Sequence, residues 1–317
     1  MLHVWLASGE RLASLPLEEW KDVRTLKKHL QGSCQVPRFR QRILCDGAAL
    51  HDDFRFTSPV DLQLVLLSFL PASKIQIDEL SAASEDGEAS AVERILQRPQ
   101  DPDLVNLNSM YELYDTPLVA AAGNGHTQVV QLLLEAMADK DKKGNHDETP
   151  LTAASRQGCE EVARLLLDAG ADINAAGSGG PLSASAGVGN VRIVRMLLDA
   201  EADVESANKN EHCAFYYAPL VAASRGGYTD VVHLLLRSRA RINAECRFSG
   251  MTPTFAAARH GHALVMHLLL QSRADAAKSC PGVEISAATP QAVADRYGHV
   301  HIMRMLLEAG EHSKKSR

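Results

Sequence analysis

Apolar residues fall into two rhythms along this chain, and the rhythm changes near residue 70. Leu2, Val4 and Leu6 alternate with His3 and Trp5, the period of a strand with one buried face. Ser8-Gly9-Glu10 supplies a turn, and a second strand is expected near Leu12–Leu17. Val23, Leu26 and Leu30 share one helix face at i, i+3 and i+7, and Pro37 closes the helical region. Gln41–Gly47 reads as a strand followed by a turn, and Leu62–Leu66 as a closing strand.

Beyond residue 70 one pattern recurs. A proline opens a short helix and a glycine ends it eight residues later, at Pro117/Gly125, Pro150/Gly158, Pro181/Gly189, Pro219/Gly227, Pro253/Gly261 and Pro290/Gly298. The proline-to-proline spacings are 33, 31, 38, 34 and 37 residues. An earlier copy has Glu79 in place of the proline, followed by Gly87. Every copy continues into a second helix bearing an apolar triplet such as Leu132–Leu134, Leu165–Leu167 or Met305–Leu307. A period of this length marks a repeat architecture. Thr116, Thr149, Thr252 and Thr289 are suited to cap the first helix, and the proline fits its first position because no N–H is needed there. Ala121, Ala154, Ala223, Ala257 and Ala294 allow close approach of neighbouring helices. The second helix is expected to bury Val129, Val130 and the leucine triplet. Helices this short hold only by stacking on one another.

Thr149-Pro-Leu-Thr-Ala-Ala-Ser-Arg-Gln-Gly and Glu161-Val-Ala-Arg-Leu-Leu-Leu-Asp-Ala-Gly-Ala-Asp-Ile-Asn174 resemble a near-consensus ankyrin repeat. The resemblance runs from Asp78 to Gly310 and implies seven repeats, about 78–110, 111–143, 144–175, 176–208, 209–245, 246–280 and 281–310. Gly180 and Ala218 depart from the Thr cap, and Thr254 and Gln291 replace the usual leucine after the proline. Extra residues near Asn210–Tyr217 and Ala277–Ala288 should bulge from hairpin tips. Residues 1–70 resemble the ubiquitin-like β-grasp fold, with Val36–Leu50 and Asp61–Leu66 similar in detail. The expected fold is therefore two-domain: an α+β β-grasp domain, a linker at 71–77, an all-α ankyrin solenoid with β-hairpin loops at 78–310, and a basic tail at 311–317. Conjugation in the ubiquitin family needs a free di-glycine end, whereas Ser68-Phe69-Leu70-Pro71 continues into the repeats, so the resemblance implies a built-in module.

Composition narrows the function classes. Net charge is −6, and residues 1–70 are close to neutral, so the acidic excess lies in the repeats and general nucleic-acid binding is not expected. The longest clean apolar run, Leu64–Leu70, is too short to span a membrane, and the first residues lack a secretory signal. A cytoplasmic location is expected, with the nucleus and, for a processed chain, organelle import left open. The six cysteines form no Cys-x-x-Cys pair and read as isolated reduced thiols. No phosphate loop, nucleophile elbow or zinc-protease motif occurs, so no enzyme, cofactor or metal is expected.

The chemistry that remains is recognition. Six residues after each anchor stand Glu85, Gly123, Arg156, Gly187, Arg225, Arg259 and Arg296, a position that in ankyrin proteins faces the concave groove. Arginine suits carboxylates and phosphates through paired hydrogen bonds. An acidic partner segment along Arg156, Arg225, Arg259 and Arg296 is one reading; four solvated side chains is the other. Tyr114, Tyr216 and Tyr217, at expected hairpin tips, are interface anchors or pack on their own loops. Leu44 and Val65 fall on positions of the ubiquitin recognition patch, Gln63 replaces its histidine, and Trp5 lies on the outward strand face. These three apolar residues either contact a ubiquitin receptor or cover the first repeat. His126, His262 and His299 are read as repeat-pattern residues. The expected function is a non-catalytic scaffold or adaptor, with a ubiquitin–proteasome substrate receptor and a stable structural subunit as alternatives.

Overall fold

The computed structural model describes residues 1–105, 115–175, 179–206, 217–246, 249–280 and 289–315. They fall into two compact units, residues 1–121 with 128–139, and residues 122–127 with 140–317. In the first unit, β1 (Leu2–Leu6), β2 (Arg11–Leu15), α1 (Val23–Cys34), β3 (Gln41–Cys45), β4 (Ala48–Ala49) and β5 (Val60–Leu66) make an N-terminal α+β domain. Its sheet has the order β2-β1-β5-β3-β4, with β1 and β5 parallel and the other pairs antiparallel, a topology that resembles a β-grasp. Asp22 caps α1 through a capping box with Thr25. The alternation read in β1 is realised: Leu2, Val4, Ile43, Leu62 and Leu64 join Val23, Leu26 and Leu30 of α1 in one core.

Helix pairs follow: α2 (Lys74–Glu85) with α3 (Ala89–Leu96), α4 (Pro117–Gly123) with α5 (Thr127–Glu135), α6 (Pro150–Gln157) with α7 (Glu160–Asp168), α8 (Gly180–Val188) with α9 (Val191–Asp199), α10 (Pro219–Gly226) with α11 (Thr229–Arg237), α12 (Pro253–His260) with α13 (Ala263–Gln271), and α14 (Pro290–Arg296) with α15 (Val300–Lys315). Two ends differ from expectation. Ser73 and Gln76 form a capping box that starts α2 at Lys74, so residues 74–77 are helix rather than linker. Helix α15 runs to Lys315, so the backbone of residues 311–315 is helical rather than a separate tail.

In the second unit the first helices pack in succession, α6 on α8, α8 on α10, α10 on α12 and α12 on α14, and the second helices form a parallel row behind them. Hydroxyls of Thr149, Thr252 and Thr289 accept from the N–H of Thr152, Phe255 and Ala292, as the caps required. Ala154, Ala223, Ala257 and Ala294 are completely buried. Helices α7, α9, α11 and α13 bury two apolar residues of their first turn and only the central residue of each triplet, as with Val162, Ala163 and Leu166 in α7 and Val231, Val232 and Leu235 in α11. In these four helices the flanking triplet residues are half-buried, because three consecutive helical residues sweep about 200° and a buried stripe is narrower; in α15 Leu307 is exposed.

Successive repeats are also joined by polar contacts. The Asp172 N–H donates to Asp141, that of Asp203 to Asn174, that of Arg241 to Glu205 and that of Asp275 to Asn243, at 2.7–2.8 Å. Among the described residues these connections contain no β-strand, in contrast to the expected β-hairpin loops. A bond from the Gly144 N–H to the Glu148 carbonyl closes one tip instead, and bonds from the Cys246 N–H to the Met251 carbonyl and from the Gly250 N–H to the Cys246 carbonyl close another. Most of the expected bulge at Asn210–Tyr217 and much of that at Ala277–Ala288 lie outside the described residues.

Candidate protein-interaction groove

Residues Pro150–Ser155 of α6 are all buried, as are Gly180–Ala186 of α8, Pro219–Ser224 of α10 and Pro253–Ala258 of α12. The residue after each buried run is the sixth from the anchor, where the chain first returns to solvent. Arg156, Gly187, Arg225 and Arg259 therefore stand at one register on adjacent helices, with Arg296 next on α14. Around Gly187 they border a groove of about 570 Å3 lined by Arg156, Ser183, Tyr217, Arg225 and His260, among others.

Local contacts set the arginines in place. The Arg156 Nε donates to Glu148 at 2.8 Å. The Arg225 guanidinium lies 5.2 Å from the centre of the Tyr217 ring. Tyr217 is itself tied to α8, because the Ser183 hydroxyl donates to its carbonyl at 2.6 Å. Behind Arg225 and Arg259, ring nitrogens of His262 and His299 lie 2.9 and 3.3 Å from their carbonyl oxygens. These rings cover the glycine of the preceding repeat: a Cβ on Gly227 would stand 2.5 Å from His262 Nδ1, and Gly227 has φ +78°. His262 and His299 thus pack as part of the repeat, in keeping with their sequence pattern. His260 was not singled out by sequence. Burial, then the charges of Arg225 and Arg259, then His262 and His299 push its imidazole below its ordinary value, which favours the neutral ring.

Sequence reasoning also passed over Arg38. It is 1% exposed and reaches three carboxylates: Asp52 of its own domain at 2.9 Å, Glu93 of α3 at 2.9 Å and Glu135 of α5 at 2.8 Å. Lys27 pairs with Asp52, Lys28 with Glu135 and Arg24 with Glu93. The N-terminal domain is therefore fastened to the second helices of the first two repeats through α1 and the loop after it.

Trp5, Leu44 and Val65 take no part in that fastening. Trp5 pairs in register with Gln63 of β5, and Gln63 with Leu44 of β3, so the three side chains form a row on the sheet face opposite α1. Val65 follows two residues on, beside Arg42. The Arg11 guanidinium lies 5.9 Å from the Trp5 ring centre, and a hollow of about 360 Å3 opens beside Trp5, Leu44 and Gln63. The ion pairs to the first two repeats come instead from Arg24, Lys28 and Arg38. Tyr114 and Tyr216 lie outside the described residues.

Five of the cysteines are described and all carry free thiols; burial pushes that of Cys246 up to about 11. No group of metal-binding side chains occurs among the described residues, and no described helix is long and apolar enough to cross a membrane.

A family model described as ankyrin repeats matches residues 80–176 and 219–316. The chain belongs to the ankyrin-repeat family. The two matched ankyrin segments leave out 177–218, which holds α8 and α9 and thus the groove floor at Gly187. Among solved structures, the crystal structure of the human ASB11 ankyrin repeat domain is similar at a TM-score of 0.59 and 23% identity, over 73% of this chain and 96% of that one. This likeness concerns the ankyrin fold alone. A search of curated proteins finds no match. The ankyrin-repeat fold is a non-catalytic protein-interaction module.

Proposed function

We propose that the chain is a scaffold or adaptor that binds an acidic segment of a protein partner along Arg156, Arg225, Arg259 and Arg296. The observation carrying this reading is the placement of these arginines at one register on the first helices of four of five consecutive repeats, two of them held at the rim of the groove by Glu148 and Tyr217. Guanidinium groups set in place before binding lose less freedom when a carboxylate arrives. The N-terminal domain, read as a ubiquitin-like β-grasp module, supplies a second contact through Trp5, Leu44 and Val65. Two modest sites on one chain reinforce each other through effective concentration. A cytoplasmic location is part of the same proposal.

Quantitative affinity purification of the wild type beside a variant with all four arginines changed to Glu tests the groove, once circular dichroism shows both folded. Loss of a defined partner is expected, and an unchanged partner list would remove the groove reading.

A second reading, an adaptor of the ubiquitin–proteasome system, is favoured by the aligned Trp5–Gln63–Leu44 row on the sheet face away from α1. On this reading the full chain competes with ubiquitin for a receptor and Trp5→Ala abolishes the competition. Absence of competition by the wild type counts against it.

A further inference from the structure

The groove floor is uneven. Position six of α8 is Gly187, between Arg156 of α6 and Arg225 of α10, so a side chain is missing where its neighbours carry guanidinium groups. Ser183, Ala184 and Ala222 complete a floor of small residues, and Val188, Tyr217 and His260 stand around it. A volume of about 570 Å3 holds one side chain with its flanking backbone. Gly187 has no backbone reason to be glycine. It is helical, exposed and without positive φ, and an added Cβ would meet only the Ala222 methyl, at an ordinary contact distance of 3.8 Å. The glycine therefore keeps space open. It lies in the stretch between the two segments that match the family pattern.

We propose that the hollow at Gly187 admits one oxyanion-bearing side chain, glutamate or phosphoserine, of an extended partner segment and holds it between Arg156 and Arg225. The Arg225 guanidinium, with that of Arg156 across the hollow already paired through Nε to Glu148, favours an anion there, and a guanidinium fork fits carboxylate or phosphate oxygens. The contacts to Glu148 and Tyr217 hold both forks at the rim. The His260 ring stands at the edge beside them. This proposal rests on the groove reading above and names the residue class that the groove selects.

The test uses the full chain and a random twelve-residue peptide display library. Selected peptides are expected to share one acidic position, and a synthetic consensus peptide is expected to bind at least tenfold more weakly to Gly187→Leu and to Arg225→Gln, with the melting temperature of each variant at or above that of the wild type. Should Gly187→Leu disturb folding, Arg225→Gln and Gly187→Ala carry the comparison. Replacing the shared acid with Gln should cost the peptide a similar factor on the wild type and little more on Gly187→Leu. Versions with Glu and with phosphoserine at that position identify which oxyanion is preferred. No enriched peptide, no shared acid, or equal affinity for wild type and Gly187→Leu would overturn the proposal. Binding that survives Gly187→Leu but is lost on Arg259→Glu with Arg296→Glu would remove the pocket and leave the groove reading standing.

Discussion

Arg38 shows how much one side chain can organise. Its three carboxylate partners come from three different segments, and removing it leaves them without their shared cation. Breaking a buried ionic cluster from one side costs about 3–5 kcal/mol. Arg38→Ala is therefore expected to lower the urea midpoint of the first unit and to speed amide exchange in α1. Arg38→Lys, which keeps the charge but not the fork, should fall between. His260 is a residue-scale switch on the groove. Acidification below its lowered value adds a positive charge beside Arg225, Arg259, His262 and His299. An acidic peptide that remains ionised should bind more tightly as pH falls through that range, and titration calorimetry should record proton uptake. His260→Gln should flatten the dependence.

At the scale of elements, glycines of like appearance behave oppositely. Gly227 ends α10 at φ +78° against the His262 ring, so Gly227→Ala should destabilise by more than about 1 kcal/mol. Gly187 sits in helical backbone with room for a Cβ, so Gly187→Ala should stabilise by about 0.5–1 kcal/mol. Thermal unfolding of the two variants side by side checks both signs. The caps, the terminating glycines and the buried alanines were legible in the sequence because each follows from backbone geometry within one repeat. The leucine triplets were over-read as wholly buried, since the width of a buried stripe depends on what stacks behind it. Among the described residues the connections hold no strand, and side chains such as Asp141 and Asn174 accept from backbone N–H groups of the next repeat.

At the scale of the molecule, the first unit joins the α+β domain to the first two repeats as one body. Burial alone would raise the carboxyls of Asp52 and Glu135. For Asp52 the hydrogen bond and charge of Lys27, the hydrogen bond from Gln97 and the charge of Arg38 outweigh it; for Glu135 the bonds and charges of Lys28 and Arg38 do so. Both groups end below their ordinary values. Their contribution to stability is then full above the unfolded-state values of about 4 and is lost as pH falls through the lowered folded ones. Acid unfolding of the wild type should accordingly begin in the first unit, as loss of amide protection in α1, α3 and α5, and Arg38→Ala should shift that onset to higher pH.

The sequence by itself determined the period, the seven helix pairs, the caps, the buried face of each strand and helix, and the register that carries the arginines. All of these are local or periodic properties, written in spacings of two, three, four and about thirty-three residues. What only the tertiary structure decided are meetings between distant residues: Arg38 with Glu93 and Glu135, Ser183 with Tyr217, and the row of Trp5, Gln63 and Leu44. Arg38 stands in a run of basic residues that looks like solvated surface, and nothing in its spacing names its carboxylates. Gly187 reads as a gap in a ladder until Arg156 and Arg225 stand on either side of it. Pairings of this kind depend on how helices and strands pack, and packing is a property of the whole chain.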